Sequence, residues 1–200
     1  MDQPTQPNTS ITDPVVEPPR KSPWSLKAKI IRLGWGICEI LFWKLSPTWA
    51  WGFRRFMLRV FGASVGKRVK IHPSVKVIIP WHITIGDDVI IHERAILYAL
   101  GDIVIGDQSE IGPLVHVCAG THDYTDPAFT LLRQPITIGK RCVLCAASFV
   151  APNVTLADGT ILMPRSAIYI DSQSETCYIG NPAKIHSIEP VQDKQEENVA

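Results

Sequence analysis

The sequence lacks three features that would place it in a common class. Its formal net charge is only +1 and no basic run stands out, so it gives no electrostatic case for a nucleic-acid partner. Its five cysteines are an odd number without repeated C-x-x-C pairs, which argues against both a disulfide framework and a structural zinc site. We expect reduced, packed thiols in a cytoplasmic protein. They are Cys38, Cys118, Cys142, Cys145 and Cys177.

An uninterrupted apolar run long enough to cross a bilayer is also missing. The most apolar stretch, residues 24–61, holds five of the six tryptophans, but charged residues and Pro47 break it up. The pattern predicts two helices, at about 26–45 and 48–60. Two roles stay open for them. They could cap the open end of a β fold or pack against neighbouring subunits of a trimer, or lie in a membrane interface with basic residues on the polar side, and the two roles do not exclude each other.

The two ends of the chain differ from its middle. Residues 1–23 hold six prolines and few apolar residues, and they do not have the basic start and apolar core of a signal peptide. We predict that this segment and residues 189–200 are disordered tails. Between them we predict a helical segment at 24–61 and a β domain at 62–188.

Aliphatic residues recur every six positions between residues 65 and 170, in fifteen units. An antiparallel β protein would alternate apolar and polar residues strictly, whereas self-similarity at a fixed period is typical of a solenoid. Three units make a triangular coil. The pattern therefore predicts an all-β fold, a left-handed parallel β-helix of about five coils, with an N-terminal α-helical extension. The units open at Val65, Ile71, Val77, Ile85, Ile91, Leu97, Ile105, Ile111, Val117, Ile138, Leu144, Val150, Leu156, Leu162 and Ile168.

Insertions interrupt this period only after the third unit of a coil. Two extra residues follow the unit of Val77, two follow that of Leu97, and a long insertion at 123–137 follows that of Val117. They should stack at one corner of the prism, which we call the insertion corner. Insertions in repeat proteins collect on the binding face. The segment Thr121-His122-Asp123-Tyr124 reaches this corner at the end of the third coil.

Seven short segments between residues 24 and 188 carry a family resemblance. They are Leu58-Arg59-Val60-Phe61-Gly62-Ala63, Pro80-Trp81, Ile85-Gly86-Asp87, Thr121-His122-Asp123-Tyr124, Asp126-Pro127-Ala128-Phe129, Pro135-Ile136 and Gly180-Asn181-Pro182-Ala183-Lys184. Together they resemble the hexapeptide-repeat O-acetyltransferases, in particular the branch of colanic acid biosynthesis, which is related to the maltose and nodulation-factor O-acetyltransferases. The pairing of T-H-D-Y with G-N-P-A-K in this order is the most specific part.

The resemblance implies a homotrimer that needs no metal and uses acetyl-CoA as donor. It implies transfer to a sugar hydroxyl, in a cleft between subunits, during exopolysaccharide or other surface-glycan synthesis. His122 would be the general base, and histidine titrates in the range that this step needs. The enzyme would work in the cytoplasm, free or bound to the cytoplasmic face of the inner membrane. The expected acceptor residues are His82, Asp123 and Tyr124, and the expected coenzyme residues are Ala146, Arg165 and Lys184.

The remaining histidines leave a second hypothesis open. His82 ends the first coil at the insertion corner, two rungs or about 10 Å from His122, and would line the acceptor site. His116 should face outward on the neighbouring face of the coil that carries His122. Zinc carbonic anhydrases of the β-helical class hold their metal with histidines of adjacent coils and subunits, so six histidines keep that alternative open.

A third hypothesis, a trimeric scaffold without catalysis, follows from departures in the expected coenzyme region. Val143 stands where the family has an aromatic residue. Pro164 stands where an alanine N–H would serve the pantetheine arm, and proline has no N–H to donate. Tyr169 and Ile170 replace a threonine-lysine pair, which removes one positive charge near the coenzyme phosphates.

Overall fold

A computed structural model describes residues 25–187 of the chain. The predicted disordered tails, 1–23 and 189–200, lie outside the described residues. Two helices come first, α1 (Leu26–Cys38) and α2 (Trp51–Val60), and a short π-helical stretch, Glu39–Trp43, continues directly from α1. Ser25 caps α1 by accepting a hydrogen bond from the Ala28 N–H.

Nineteen short strands follow in the described part of the chain. They are β1 (Ser64–Val65), β2 (Lys70–Ile71), β3 (Lys76–Val77), β4 (Ile83–Ile85), β5 (Ile90–Ile91), β6 (Ile96–Tyr98), β7 (Ile103–Ile105), β8 (Glu110–Ile111), β9 (His116–Cys118), β10 (Thr121–His122), β11 (Leu131–Leu132), β12 (Ile136–Ile138), β13 (Val143–Leu144), β14 (Phe149–Val150), β15 (Thr155–Leu156), β16 (Ile161–Leu162), β17 (Ala167–Ile168), β18 (Cys177–Gly180) and β19 (Ala183–His186).

The strands stack into three parallel faces of a prism, which confirms the predicted left-handed parallel β-helix. The first face is β1-β4-β7-β12-β15, the second carries β2-β5-β8-β13-β16 and then β18-β19, and the third is β3-β6-β9-β14-β17. The residues that open the repeat units pair rung to rung, as Val65 with Ile85 and Ile85 with Ile105. All fifteen are buried. The five predicted coils are present, and β18 adds part of a sixth rung.

Backbone crowding explains why glycine follows several openers. A Cβ on Gly106 would lie 2.6 Å from the carbonyl carbon and oxygen of Gly139 on the next rung, closer than backbone atoms can give way. The chain turns at the corners through the left-handed region, even at non-glycine residues such as Asp88, Gln108 and Arg141. Rung-to-rung hydrogen bonds hold these turns, as Gln108 N–H to the Asp87 carbonyl shows.

The N-terminal helices cover the open end of the first coil. The indole N–H groups of Trp35 and Trp43 donate to the carbonyls of Val77 and Val75, at 2.7 and 3.2 Å. Both indoles are buried and touch each other edge to face. The helices therefore satisfy strand-edge groups that would otherwise be unpaired. Within residues 25–187, no helix combines the length and the apolar character needed to cross a membrane.

Candidate active site

The long insertion leaves the third coil as a small hairpin at the insertion corner. Strand β10 pairs antiparallel with β11, and His122 lies opposite Leu131. The shorter insertions stack beside it, because the last two residues of each insertion begin β4, β7 and β12, and these strands pair directly. The hairpin thus carries His122 outside the regular coil, and the stacked strands fix the place where the hairpin leaves the prism.

The imidazole of His122 is oriented by the same hairpin. Its Nδ1 lies 2.7 Å from the Phe129 carbonyl oxygen, and its ring stacks on that of Phe129 with centroids 4.3 Å apart. A carbonyl oxygen only accepts, so Nδ1 carries a proton, and in the neutral ring the lone pair is then on Nε2. The geometry thus gives His122 the tautomer that a general base requires.

His122 faces a cleft of about 560 Å³ that is open on one side. Its walls come from the third face, from the start of the hairpin and from the corner at 151–152. This volume lies within the range of small-molecule sites, whose walls are mostly apolar with few polar groups. The lining residues are Tyr98, His116, Cys118, Gly120, Thr121, His122, Tyr124, Phe149, Ala151, Pro152 and Tyr169.

The predicted acceptor residues of the hairpin have different environments. Tyr124 lines the cleft with a side chain that is 78% exposed, and its hydroxyl lies 3.2 Å from that of Thr121. Asp123 does not line the cleft. Its carboxylate accepts from the hydroxyl and the N–H of Thr125, and these bonds lower the pKa of Asp123. In this chain Asp123 holds the hairpin turn.

His82 stays at the insertion corner but turns toward the backbone. Its Nδ1 lies 3.1 Å from the Ala99 carbonyl and 3.0 Å from that of Leu100, so it donates to the next coil's corner. It is not among the cleft residues of the single chain. Its role toward the acceptor stays a prediction.

His116 is the cleft residue that sequence reasoning underrated. The sequence places it on the face next to His122 without a role, but both histidines line one cleft. The ring of His116 lies edge to face between those of Tyr98 and Phe149, with centroid distances of 6.1 and 5.5 Å. The described residues leave its ring nitrogens without a hydrogen-bond partner, and Nε2 is shut off from solvent. The sequence did contain a sign of this contact, because His116 and Phe149 each precede the opener of a third-face unit and therefore stack on adjacent rungs.

Burial lowers the pKa of His116, so the folded chain holds it neutral more strongly than the unfolded chain does. As the pH falls through the ordinary histidine range near 6.5, the unfolded state takes up more protons and stability is lost. We predict that His116→Phe, which keeps the ring packing, shrinks the drop in Tm between pH 8 and pH 5. Thermal unfolding at both pH values measures it. The control is His72→Phe, at a half-buried histidine on the second face, and equal drops in all three proteins would contradict the prediction.

A thiol also lines the cleft, and its state bears on the reaction. Burial raises the pKa of Cys118, whose Sγ lies 3.3 Å from the Gly120 carbonyl oxygen. A protonated thiol is a weak nucleophile. An acyl-cysteine intermediate is therefore disfavoured at this position.

The predicted coenzyme residues lie elsewhere on the prism. Ala146 and Arg165 stack at the corner between the second and third faces, where the Arg165 N–H donates to the Ala146 carbonyl at 2.9 Å. Lys184 is exposed on β19, opposite Ile179. None of the three lines the cleft of His122. One chain thus presents the base and the coenzyme residues at different corners.

Comparison with known proteins decides the family. No family model matches the sequence. A protein of Escherichia coli K12 named as a colanic acid biosynthesis acetyltransferase, WcaF, is 40% identical over 156 residues, which cover 78% of this chain and 85% of the relative. The chain belongs to the hexapeptide-repeat O-acetyltransferases. Nodulation protein L of Rhizobium leguminosarum bv. viciae is 28% identical over 133 residues, 64% of this chain and 69% of its own length.

Solved structures agree with the fold of this acetyltransferase. The hexapeptide-repeat acetyltransferase of Vibrio cholerae O1 biovar eltor, in complex with acetyl coenzyme A, matches with a TM-score of 0.75 at 23% identity, over 83% of this chain and 91% of its own. A galactoside acetyltransferase in complex with coenzyme A matches with a TM-score of 0.74 at 20% identity, over 86% of each chain. These structures share the fold, and the 40% identical relative confirms the sequence-based identification as an acyltransferase.

Family membership favours an acetyltransferase over the zinc carbonic anhydrase hypothesis. Across the part of the chain that the structure describes, no three His, Cys, Asp or Glu residues cluster closely enough to hold a metal ion. His116 and His122 do share the cleft, but the rings that contact them are Tyr98 and Phe149 at His116 and Phe129 at His122. The acetyltransferase assignment rests on the sequence relatives and not on this observation.

Proposed function

We propose that the protein transfers an acetyl group from acetyl-CoA to a sugar hydroxyl in the synthesis of an exopolysaccharide or another surface glycan. The observation that carries the proposal is the His122 tautomer, with Nδ1 bound to a carbonyl and Nε2 free in a cleft. The name of the Escherichia coli relative supports the glycan pathway, and the acetyl-CoA complex of the Vibrio cholerae protein supports the donor.

The residues support a direct transfer in two steps. Nε2 of His122 removes the acceptor hydroxyl proton as the oxygen attacks the thioester carbon, because a neutral hydroxyl is a poor nucleophile. Backbone N–H groups at the irregular corner would stabilise the tetrahedral oxyanion. The intermediate then collapses, the carbon–sulfur bond breaks, and His122 returns the proton to the coenzyme thiolate. His82, Asp123 and Tyr124 are proposed acceptor residues.

We propose a homotrimer in which a neighbouring subunit completes each site. Ala146, Arg165 and Lys184 are the proposed coenzyme residues, and they lie at a different corner from His122. A second copy placed beside the insertion corner would bring its own set to that cleft, as closed symmetry permits. The exposed ring of Tyr124 is apolar surface that a neighbour would cover.

The trimer gives a direct prediction. Light scattering at micromolar concentration should return about 67 kDa, three times the mass of the 22.2 kDa chain. A Tyr124→Glu variant should shift the distribution toward smaller species, since it places a charge in the proposed contact. Tyr178→Phe, a buried change away from this corner, is the control. A wild-type monomer at 22 kDa would remove the intersubunit site.

The proposal places the enzyme in the cytoplasm, at the cytoplasmic face of the inner membrane. Acetyl-CoA is a cytoplasmic metabolite, and a glycan under synthesis on a lipid carrier would be presented at that face. The apolar outer side of the N-terminal helices is compatible with this contact.

The test is release of coenzyme thiol from acetyl-CoA across a panel of sugar acceptors. We expect release with at least one acceptor, a rate at least about a hundredfold lower with His122→Ala, and unchanged wild-type rates after treatment with EDTA. Calorimetry with acetyl-CoA runs in parallel. Neither binding nor release would favour the scaffold hypothesis, in which Val143 and Pro164 have ended coenzyme use, and loss of activity with EDTA would favour a metal enzyme.

A further inference from the structure

The N-terminal helices carry apolar stripes on the side that faces away from the prism. In α1 and the stretch after it, Leu26, Ile30, Leu33, Ile37 and Leu41 are 49–74% exposed at helical spacing. A stripe at spacings of three and four normally packs against a core. In these helices other residues, among them Trp35 and Trp43, pack against the prism, and the apolar stripe is exposed on the opposite side.

The second helix repeats the arrangement. Phe53, Phe56 and Val60 follow one another at the same spacing in α2 and are 41–63% exposed, whereas Met57 and Leu58 are buried. Trp49, in the turn before α2, is 75% exposed. Capping the first coil therefore explains only the inner side of these helices. An exposed apolar surface of this extent marks an interaction site.

The charge of the chain is divided between the same segment and the rest. Residues 25–61 contain seven Lys and Arg and a single acid, Glu39, whereas the remainder carries 13 Lys and Arg against 18 Asp and Glu. Burial raises the pKa of Glu39, the one acid of this segment. Residues 62–187, the rest of the chain that the structure describes, hold ten Lys and Arg against 11 Asp and Glu. This described part is thus cationic at its capped end and nearly neutral on the prism, and an anionic surface would attract mainly the capped end.

We propose that this outer surface of residues 25–61 binds the surface of an anionic lipid bilayer. The inference rests on the membrane contact proposed above and names the surface and the lipid class. Leucine, isoleucine and aromatic side chains enter the interface, tryptophan settles at headgroup level, and Lys27, Lys29 and Lys44 meet anionic headgroups. A second copy of the chain is less suited, because two such surfaces would bring like charges together.

The orientation has a consequence for the acceptor. The helices cover the first coil, and His122 leaves the third coil two rungs away, about 10 Å along the prism axis. With one helix diameter of about 10 Å added, the cleft lies about 20 Å from the bilayer. A sugar on a lipid carrier could reach it. In a side-by-side trimer the three caps share one end, so three surfaces bind together.

Co-sedimentation of the full chain with vesicles tests the proposal. Most of the wild type should pellet with phosphatidylcholine vesicles containing 30% phosphatidylglycerol, and little with phosphatidylcholine alone. Leu33→Gln/Phe56→Gln should weaken binding at least tenfold. Leu114→Gln/Ile185→Gln, which changes two similarly exposed residues on the prism, should pellet as the wild type does. Lys27→Glu/Lys29→Glu should weaken vesicle binding by about fivefold or more per lysine, and high salt should also weaken the binding of the wild type.

The contrary outcomes are distinct. Wild type that stays in the supernatant with anionic vesicles overturns the proposal, and so does equal pelleting of the Leu33/Phe56 double variant. Light scattering of this variant identifies the other occupant, since a fall in assembly size would assign the surface to a second copy. Vesicle binding is read without acetyl-CoA, so its failure is separate from failure of the acetyl transfer.

Discussion

His122→Ala is expected to lower turnover by about 10² to 10⁴ while acetyl-CoA affinity changes little. The alanine variant keeps the hairpin strands but lacks the imidazole that the Phe129 carbonyl orients in the cleft. Turnover should therefore fall far more than the affinity for acetyl-CoA. Steady-state kinetics with the best acceptor, together with calorimetry for acetyl-CoA, separates the two effects.

Two controls make this expectation specific. His72→Ala removes a histidine on the second face, where its Nδ1 lies 2.8 Å from the Ser74 hydroxyl, and should leave turnover unchanged. His82→Ala should act mainly on the acceptor KM. Added imidazole should restore part of the activity of His122→Ala, because the lost ring leaves space for it. Retention of more than about a third of wild-type turnover would refute the role of His122 as the base.

The repeat was predictable because one physical effect dominates it. Each opener must point inward, so a period of six in aliphatic residues fixes the three faces and their register, as in the pairing of Val65 with Ile85. The insertions stack for the same reason, since each follows the third unit of its coil. The position of His122 at this corner followed directly.

The orientation of side chains outside the prism was harder to predict. The Phe129 carbonyl that fixes the tautomer of His122 comes from the far arm of the hairpin, and no period relates the two residues. His116 was assigned to a face correctly, but the hairpin brings His122 over that face and joins them in one cleft. His82 was placed at the correct corner, yet two carbonyls of the next coil hold its ring.

Arg54 is the clearest case of a residue that the sequence could not reveal. A basic residue in an amphipathic helix normally faces solvent, but Arg54 is fully buried between α2, the turn at 46–48 and the first coil. Its Nε donates to the Ile71 carbonyl at 2.6 Å, and its NH1 and NH2 groups donate to the Ser46 hydroxyl and to the carbonyls of Pro47 and Thr48. The dipoles of these carbonyls thus stabilise the positive charge of the Arg54 guanidinium, which stays protonated.

Arg54→Met should therefore destabilise the fold by about 3 to 5 kcal/mol, which lowers Tm by roughly 10 °C. The methionine fills part of the space, but three carbonyls in a buried site lose their donors, and each such loss costs about 1 to 3 kcal/mol. Thermal unfolding measures the change. Arg55→Met is the matched control at the next position, because Arg55 makes one half-buried bond to the Val69 carbonyl at 2.8 Å and should cost only about 1 kcal/mol.

Arg54→Met should loosen the helical cap before it unfolds the whole prism. Arg54 joins the helical cap to the first coil, so its removal frees the cap while the later rungs keep their own hydrogen bonds. Amide hydrogen exchange of Arg54→Met should quicken in α1, α2 and β2 well before it quickens in β13 or β14. If Arg54→Met and Arg55→Met unfold at the same temperature, or exchange quickens evenly along the prism, the guanidinium is not what fastens the cap.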